Sequence, residues 1–258
     1  MATRKGREPE RGNRHSVVVS QASTDAPQPP ALARTLREGL AVPRVLLNPL
    51  RVPRRGKLIG KGRPVVVIPG LTTGDISTTL LRRTLNARGF VAEGWRQGIN
   101  TGADPAKLGQ LENRIRHLHA KHDAKVLLIG WSLGGLYARV LGHRIPQHLD
   151  LVMTVASPFS GDRRANRAWK VYEKLNDHSV DDPPFEDDIA AKPPVPTIAV
   201  WSGADGIVAP ECCRGKQDES DYQVRIDAPH FTIGTSRACI EKLIAAIAEV
   251  DAEREKSS

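Results

Sequence analysis

The sequence predicts an α/β domain built on a mostly parallel sheet with helices on both faces, and three observations carry that prediction. From Pro64 onward, short runs of β-branched residues alternate with longer segments of helical period, the order expected when each strand is followed by a covering helix. The first run, "PVVVIPG", is apolar at every position from Val65 to Ile68, as a strand buried on both faces requires. The chain closes on a helix whose Ile240, Leu243, Ile244 and Ile247 share one face.

Taken in order, residues 31–55 alternate apolar and basic positions, and Leu32, Leu36 and Leu40 recur every four residues. This predicts a short amphipathic helix that ends before Pro43 and packs its leucines on the domain; the alternative is that the stripe lies on an anionic membrane surface. After the first strand, Asp75 is placed to cap a helix carrying Leu80, Leu81 and Leu85, which Gly89 closes. "FVAEGW" reads as the second strand. Asp104-Pro105 then supplies an N-cap and a proline at the first helical position, and Leu108, Leu111, Ile115 and Leu118 mark the buried face. "KVLLIG" is the next strand, and "LGGLYARVLGHR" a helix with Leu136, Val140 and Leu141 on one side. "LDLVMTVASP", "TIAVWSG" and "YQVRI" are further strands. Between Gly161 and Pro196 a charged segment interrupts the periodicity and reads as an insertion over the carboxyl edge of the sheet. The expected organisation is a disordered basic arm over 1–30, a helix and linker over 31–60, the α/β domain over 61–252 with its insertion at 162–195, and a polar tail at 253–258.

At 258 residues the chain is long enough to bury a sizeable core. Lys and Arg number 38 against 29 Asp and Glu, an excess that would point to nucleic acid or acidic lipid if it covered one folded face. It does not: residues 1–63 hold 14 Lys/Arg against 4 Asp/Glu, which leaves the chain from Pro64 onward at −1. The domain therefore needs no nucleic acid to explain its charge. Residues 1–30 are polar, with too few apolar side chains to offset the entropy of ordering. No apolar run follows the early charges as a secretion signal would, and none is long enough to cross a bilayer. A cytoplasmic protein is expected, in contact with the membrane at most peripherally through its basic arm. Cys212, Cys213 and Cys239 are odd in number and lack metal-ligand spacing, so free thiols are expected and no metal site.

Chemistry concentrates at "LLIGWSLGG", residues 127–135. Gly130-Trp131-Ser132-Leu133-Gly134 fits the G-x-S-x-G pattern of a nucleophile elbow, although chance supplies such a pentapeptide in roughly one chain in ten of this length. Context adds weight: an apolar strand precedes the serine and a helix follows. Gly130 and Gly134 stand where a larger side chain would collide with the tight turn, and the helix N-terminus favours negative charge on a reacting oxygen. A serine hydroxyl also needs a base, itself oriented by a carboxylate. Asp205, in the loop after "TIAVW", and His230, in the loop after "YQVRI", follow Ser132 in the order acid then histidine. Asp162 is the alternative acid. His117, His119, His122, His143 and His148 lie near helix ends, and His178 falls in the charged insertion. An oxyanion would need two backbone donors: Leu133 N–H, just after the nucleophile, and Leu71 N–H, which Gly70 lets approach the serine. Pro69 has no N–H to offer.

These segments resemble the α/β-hydrolase superfamily, of lipase and esterase type. The resemblance rests on "VVVIPGL", "LLIGWSLGG", "SGADGIV" and "PHFTIG" and covers about residues 60–250. Many such lipases carry a histidine before the oxyanion glycine; here that place is held by Pro69, which resembles a bacterial subgroup of uncharacterised lipase-like hydrolases. The resemblance implies the α/β-hydrolase fold, a lid formed by the insertion, and a small-molecule ester or lipid substrate. It also implies acyl transfer through Ser132, His230 and Asp205 without metal or organic cofactor. Trp169, Tyr172, Leu175 and Phe185 would form the lid's apolar underside. An acyltransferase using the same residues and a non-catalytic binding protein of this fold are the alternatives.

Overall fold

Strands form where the β-branched runs stand, and each pairs in parallel with its neighbours. The structure is a computed structural model that describes residues 26–53, 55–185 and 187–257. The arm expected over 1–30 lies, up to residue 25, outside the described residues. In chain order come α1 (Leu32–Gly39), α2 (Val42–Leu46), β1 (Pro64–Ile68), α3 (Thr79–Ala87), β2 (Val91–Gly94), α4 (Pro105–His122), β3 (Val126–Trp131) and α5 (Leu133–Arg144). There follow β4 (Leu149–Val155), α6 (Trp169–Leu175), β5 (Thr197–Trp201), α7 (Pro210–Arg214), β6 (Tyr222–Arg225), α8 (His230–Ile233) and α9 (Arg237–Ser257). Residues 253–257, expected as a polar tail, continue the last helix.

Among the described residues the sheet runs β2-β1-β3-β4-β5-β6, parallel throughout. Alternation along each strand sends its side chains to two cores. Val65 and Val67 join Leu80 and Leu85 of α3 and Ile240, Leu243 and Ile247 of α9. Val66 and Ile68 join Leu108, Leu111 and Ile115 of α4 and Tyr137, Val140 and Leu141 of α5 on the opposite face. The chain leaves β1 toward β2 on one side and reaches β3 on the other, so strand order reverses between β1 and β3. Connections diverge at such a point and open a crevice at the carboxyl ends of the strands; Gly70 and Ser132 stand at those two ends.

Several local expectations are met and others corrected. Asp104 caps α4, its Oδ1 accepting from the N–H groups of Ala106 at 2.9 Å and Lys107 at 3.1 Å, and Gly89 follows α3 with φ +86°. Asp75 does not cap α3. Its carboxylate accepts from the N–H groups of Trp95 and Arg96 instead, because the turn after β2 leaves those donors unpaired beside it. The leucine stripe of α1 is likewise reversed: Leu32, Leu36 and Leu40 are 66, 79 and 81 % exposed, whereas Glu38 on the same helix is buried. Helix α1 rests on two loops of the domain, and loops present backbone donors and acceptors that need polar partners. Its polar face turns inward for that reason, and Thr35 Oγ1 donates to Gly206 O at 2.7 Å.

Arg139 of α5 is buried and ties the end of the insertion down. Its Nη2 donates to Ala190 O, Ala191 O and Glu219 O at 2.8 to 3.0 Å, and its guanidinium lies 4.1 Å from the Phe159 ring centroid. Burial pushes its pKa down to about 10 against the pull of Glu219 and Asp188, so it is charged at neutral pH. Among the described residues no helix is long and apolar enough to cross a membrane, and the three cysteines are buried without a disulfide.

Candidate active site

Ser132 sits between β3 and α5 with φ +53° and ψ −123°, a conformation that costs a non-glycine residue roughly 1–3 kcal/mol. Two backbone bonds hold it there: Ser132 N–H donates to Val155 O at 2.8 Å, and Ser132 O accepts from Gly135 N–H at 2.9 Å. The flanking glycines are dictated by close approach. A Cβ on Gly130 would enter Gly134 O and the Cα of Gly135, and one on Gly134 would stand 2.8 Å from Pro69 O and closer still to Ile68 O. Gly70 also packs closely, since a Cβ there would stand 3.1 Å from the Ser132 Cβ. The loop after β1 thus comes right up to the serine.

Asn100 fixes that loop, a role the sequence reading missed. Its Nδ2 donates to Pro69 O at 2.8 Å, its backbone O accepts from Thr72 N–H at 2.7 Å, and its backbone N–H donates to Thr73 O. Leu71 and Leu133 flank Ser132 at the wall of a common cavity. The Leu133 N–H is the first of α5, where no intrahelical acceptor exists.

Asp205 and His230 are brought together. Asp205 is fully buried and His230 nearly so, and His230 Nδ1 lies 2.7 Å from Asp205 Oδ2. The other carboxylate oxygen accepts from the N–H groups of Ile207 at 2.7 Å and Val208 at 2.8 Å, so the whole group is oriented. With Nδ1–H committed to the carboxylate, the neutral imidazole presents an unprotonated Nε2. The ring is flanked by Trp131, centroids 6.1 Å apart, and Phe231 at 5.6 Å. Burial disfavours protonation of His230, but the charge and hydrogen bond of Asp205 and the charge of Glu38 outweigh it and hold the pKa above the ordinary value.

Ser202 joins the acid and histidine loops: its Oγ donates to Ala228 O at 2.7 Å and accepts from Ala228 N–H and Ala204 N–H. Cys213 lies beneath them, and burial together with the Asp205 charge holds its thiol protonated.

The remaining candidates lie elsewhere. Asp162 accepts from Arg164 N–H. His178 lies 2.8 Å from the Tyr172 hydroxyl, His119 and His148 contact each other, and His143 lies against Ala191 O.

Two cavities meet at Ser132. One, of about 110 Å³, runs between α5 and the insertion, where Leu136, Tyr137, Val140, Trp169, Tyr172 and Phe185 line it. The other, of about 210 Å³, is lined by Gly70, Leu71, Arg167, Val171, His230 and Phe231. Leu175, grouped with the apolar residues of the insertion in the sequence reading, is 45 % exposed and turned to solvent.

No family model and no curated protein matches the chain in sequence. Solved structures do match in three dimensions. A lipase of Bacillus licheniformis in mature form superposes with a TM-score of 0.52 at 12% identity, over 75% of this chain and 95% of its own. An esterase of Pyrococcus furiosus gives 0.54 at 14% identity over 74% and 82%, and a monoacylglycerol lipase of Paleococcus ferrophilus 0.50 at 18% over 73% and 95%. The chain has the α/β-hydrolase fold. Trp169, Tyr172 and Phe185 line the cavity that reaches Ser132.

Proposed function

We propose that this chain is a serine hydrolase that cleaves a carboxylic ester through an acyl-enzyme. One observation carries the reading: a buried, fully oriented Asp205–His230 pair opens onto the same cavity as a serine held in a strained turn. Ser132 Oγ attacks the ester carbonyl while His230 Nε2 takes its proton. The developing oxyanion lies against the N–H groups of Leu71 and Leu133. His230 returns the proton to the departing alkoxide, leaving the acyl group on Ser132. Water, deprotonated by His230, then releases the acid and restores the serine.

The apolar cavity between α5 and the insertion takes the acyl chain, with the insertion as its lid. The cavity shared with His230 takes the alcohol, because the imidazole must reach the leaving oxygen. The lipases and the esterase of the same fold support an ester or lipid substrate. Hydrolysis of p-nitrophenyl esters from acetate to laurate tests the reading: wild type turns over at least one, and Ser132→Ala loses the activity while staying folded. No turnover of any ester by folded wild type, where a control esterase is active, would contradict it.

The proposal extends to where the substrate is met. Exposed Leu32 and Leu36 of α1 and Leu40 at its C-cap stand with exposed Arg34 and Arg37, and residues 1–63 carry all of the chain's positive excess. That combination of outward leucines and cations matches a lipid surface with anionic headgroups. Sedimentation with phosphatidylglycerol vesicles at low salt is expected to carry the protein down and Leu36→Asp to reduce it. Failure to sediment, or equal sedimentation with phosphatidylcholine, would remove the anionic surface from the account.

A further inference from the structure

Glu38 is the most deeply buried residue of α1, at 2 % exposure, and it reaches the two loops that carry Asp205 and His230. Its Oε1 accepts from His230 N–H at 2.6 Å and Gly206 N–H at 2.9 Å, and its Oε2 accepts from Phe231 N–H at 3.1 Å. Two of those donors are the first N–H groups of α8, which have no intrahelical acceptor. Pro229, at the N-cap of α8, has no side-chain oxygen to offer and makes no side-chain cap. A carboxylate from a different part of the chain fills that place. The approach is close enough to require glycine at 206, since a Cβ there would stand 2.5 Å from Arg34 O and 2.8 Å from the Glu38 Cγ.

We propose that Glu38 is a positioning residue for the proposed serine hydrolase. By bonding the backbone on both sides of the acid–histidine contact, it holds the His230 ring in register with Asp205 and Ser132. Its charge also makes the imidazole a stronger base. The inference rests on the ester-hydrolase reading for its kinetic consequence, but the effect on the histidine is independent of it. Glu38 touches backbone N–H groups and no reacting atom, so it acts only through His230 and Asp205. The segment before β1 is thereby a part of the active site rather than an appendage.

Asp205 and Glu38 are the carboxylates around His230; Arg167 lines the same cavity, with its guanidinium engaged by Pro30 O; Cys213, beside Asp205, stays a neutral thiol, and the neighbouring Ser132, Trp131 and Phe231 are uncharged. Of the two carboxylates, Asp205 binds the ring and Glu38 the backbone. Removing the Glu38 charge should therefore lower the imidazole pKa without releasing the ring from Asp205.

Three variants of the full chain test this: Glu38→Gln, Glu38→Ala and Glu38→Asp. Expected for Glu38→Gln is a fall in kcat of roughly tenfold, equivalent to about 1.4 kcal/mol of activation free energy, with KM little changed and the acid limb of the pH profile moved to lower pH. Glu38→Ala should lose more. Glu38→Asp, which keeps the charge on a shorter arm, should keep the acid limb while kcat falls. NMR titration of isotopically labelled His230 reads the same shift without any substrate, so it separates failure of this inference from failure of the hydrolase reading. A merely structural Glu38 would give a lower Tm with unchanged kcat and unchanged His230 titration in Glu38→Gln, and that result overturns the proposal. If Glu38→Gln does not fold, Glu38→Asp decides: kcat equal to wild type overturns the proposal.

Discussion

Asp205→Asn offers a searching test, because the structure fixes which way the new amide must point. Asp205 Oδ1 holds the Ile207 and Val208 N–H groups, while Oδ2 takes His230 Nδ1–H. An amide NH₂ directed at two backbone donors would leave both unpaired in a buried site, at about 1–3 kcal/mol each. The amide oxygen therefore takes the Oδ1 position and the NH₂ faces the imidazole. Neutral His230 must then accept at Nδ1, its proton moves to Nε2, and Nε2 can no longer act as a base. In Ser-His-Asp triads this wrong tautomer costs about 10,000-fold in kcat. Glu38 still grips His230 N–H, so the ring keeps its placement and the tautomer alone sets the loss, about 10,000-fold or roughly 5.5 kcal/mol. The assay is steady-state ester hydrolysis, with circular dichroism and Tm to establish folding. A folded variant retaining more than a tenth of wild-type kcat would refute the reasoning about the tautomer.

Since His230 titrates above the ordinary histidine value near 6.5, hydrolysis should rise as pH increases through that higher value; a rate flat between about 5 and 8 would speak against His230 as the base. The sign for stability is opposite: the raised pKa stabilises the fold below the unfolded histidine value, and that increment is lost as pH rises through the folded value. Gly134→Ala forces a methyl against the carbonyls of Ile68 and Pro69, so it should cost about 1–3 kcal/mol, lower Tm and reduce hydrolysis; wild-type Tm and activity would contradict the close approach. Phe185→Ala lengthens the cavity beside Tyr137, whose ring it meets at 5.8 Å, and should shift preference toward longer acyl chains; an unchanged chain-length profile would move the acyl group elsewhere.

Much of this molecule is legible from its residues because the strands are buried on both faces. Val65 to Ile68 and Leu127 to Ile129 are apolar at every position for one physical reason, coverage by helices on both sides. The order of Ser132, Asp205 and His230 is legible because each follows a strand end, where loops gather at the sheet's carboxyl edge. What escapes the sequence is whatever depends on a distant partner. Glu38 has no local mark, since its donors lie 168 and more residues away; in a basic segment it reads as one solvated acid among arginines. The Leu32, Leu36 and Leu40 stripe shows that periodicity reports which face is apolar, not what that face meets. Asp75 makes the same point at short range: its position suits a cap, but unpaired donors on Trp95 and Arg96 claim the carboxylate. Asn100 and Ser202 stabilise loops through backbone groups that no pattern of side chains announces.

The central claim is that Ser132 is a nucleophile activated by His230, and labelling with a fluorophosphonate tests it most directly. Mass spectrometry of the digested adduct should place the phosphonyl group on the peptide containing Ser132, with a labelling rate that falls at low pH as His230 protonates. Ser132→Ala should take up no label. Labelling that maps to another residue, or folded wild type that stays unlabelled while a control esterase reacts, would contradict the account.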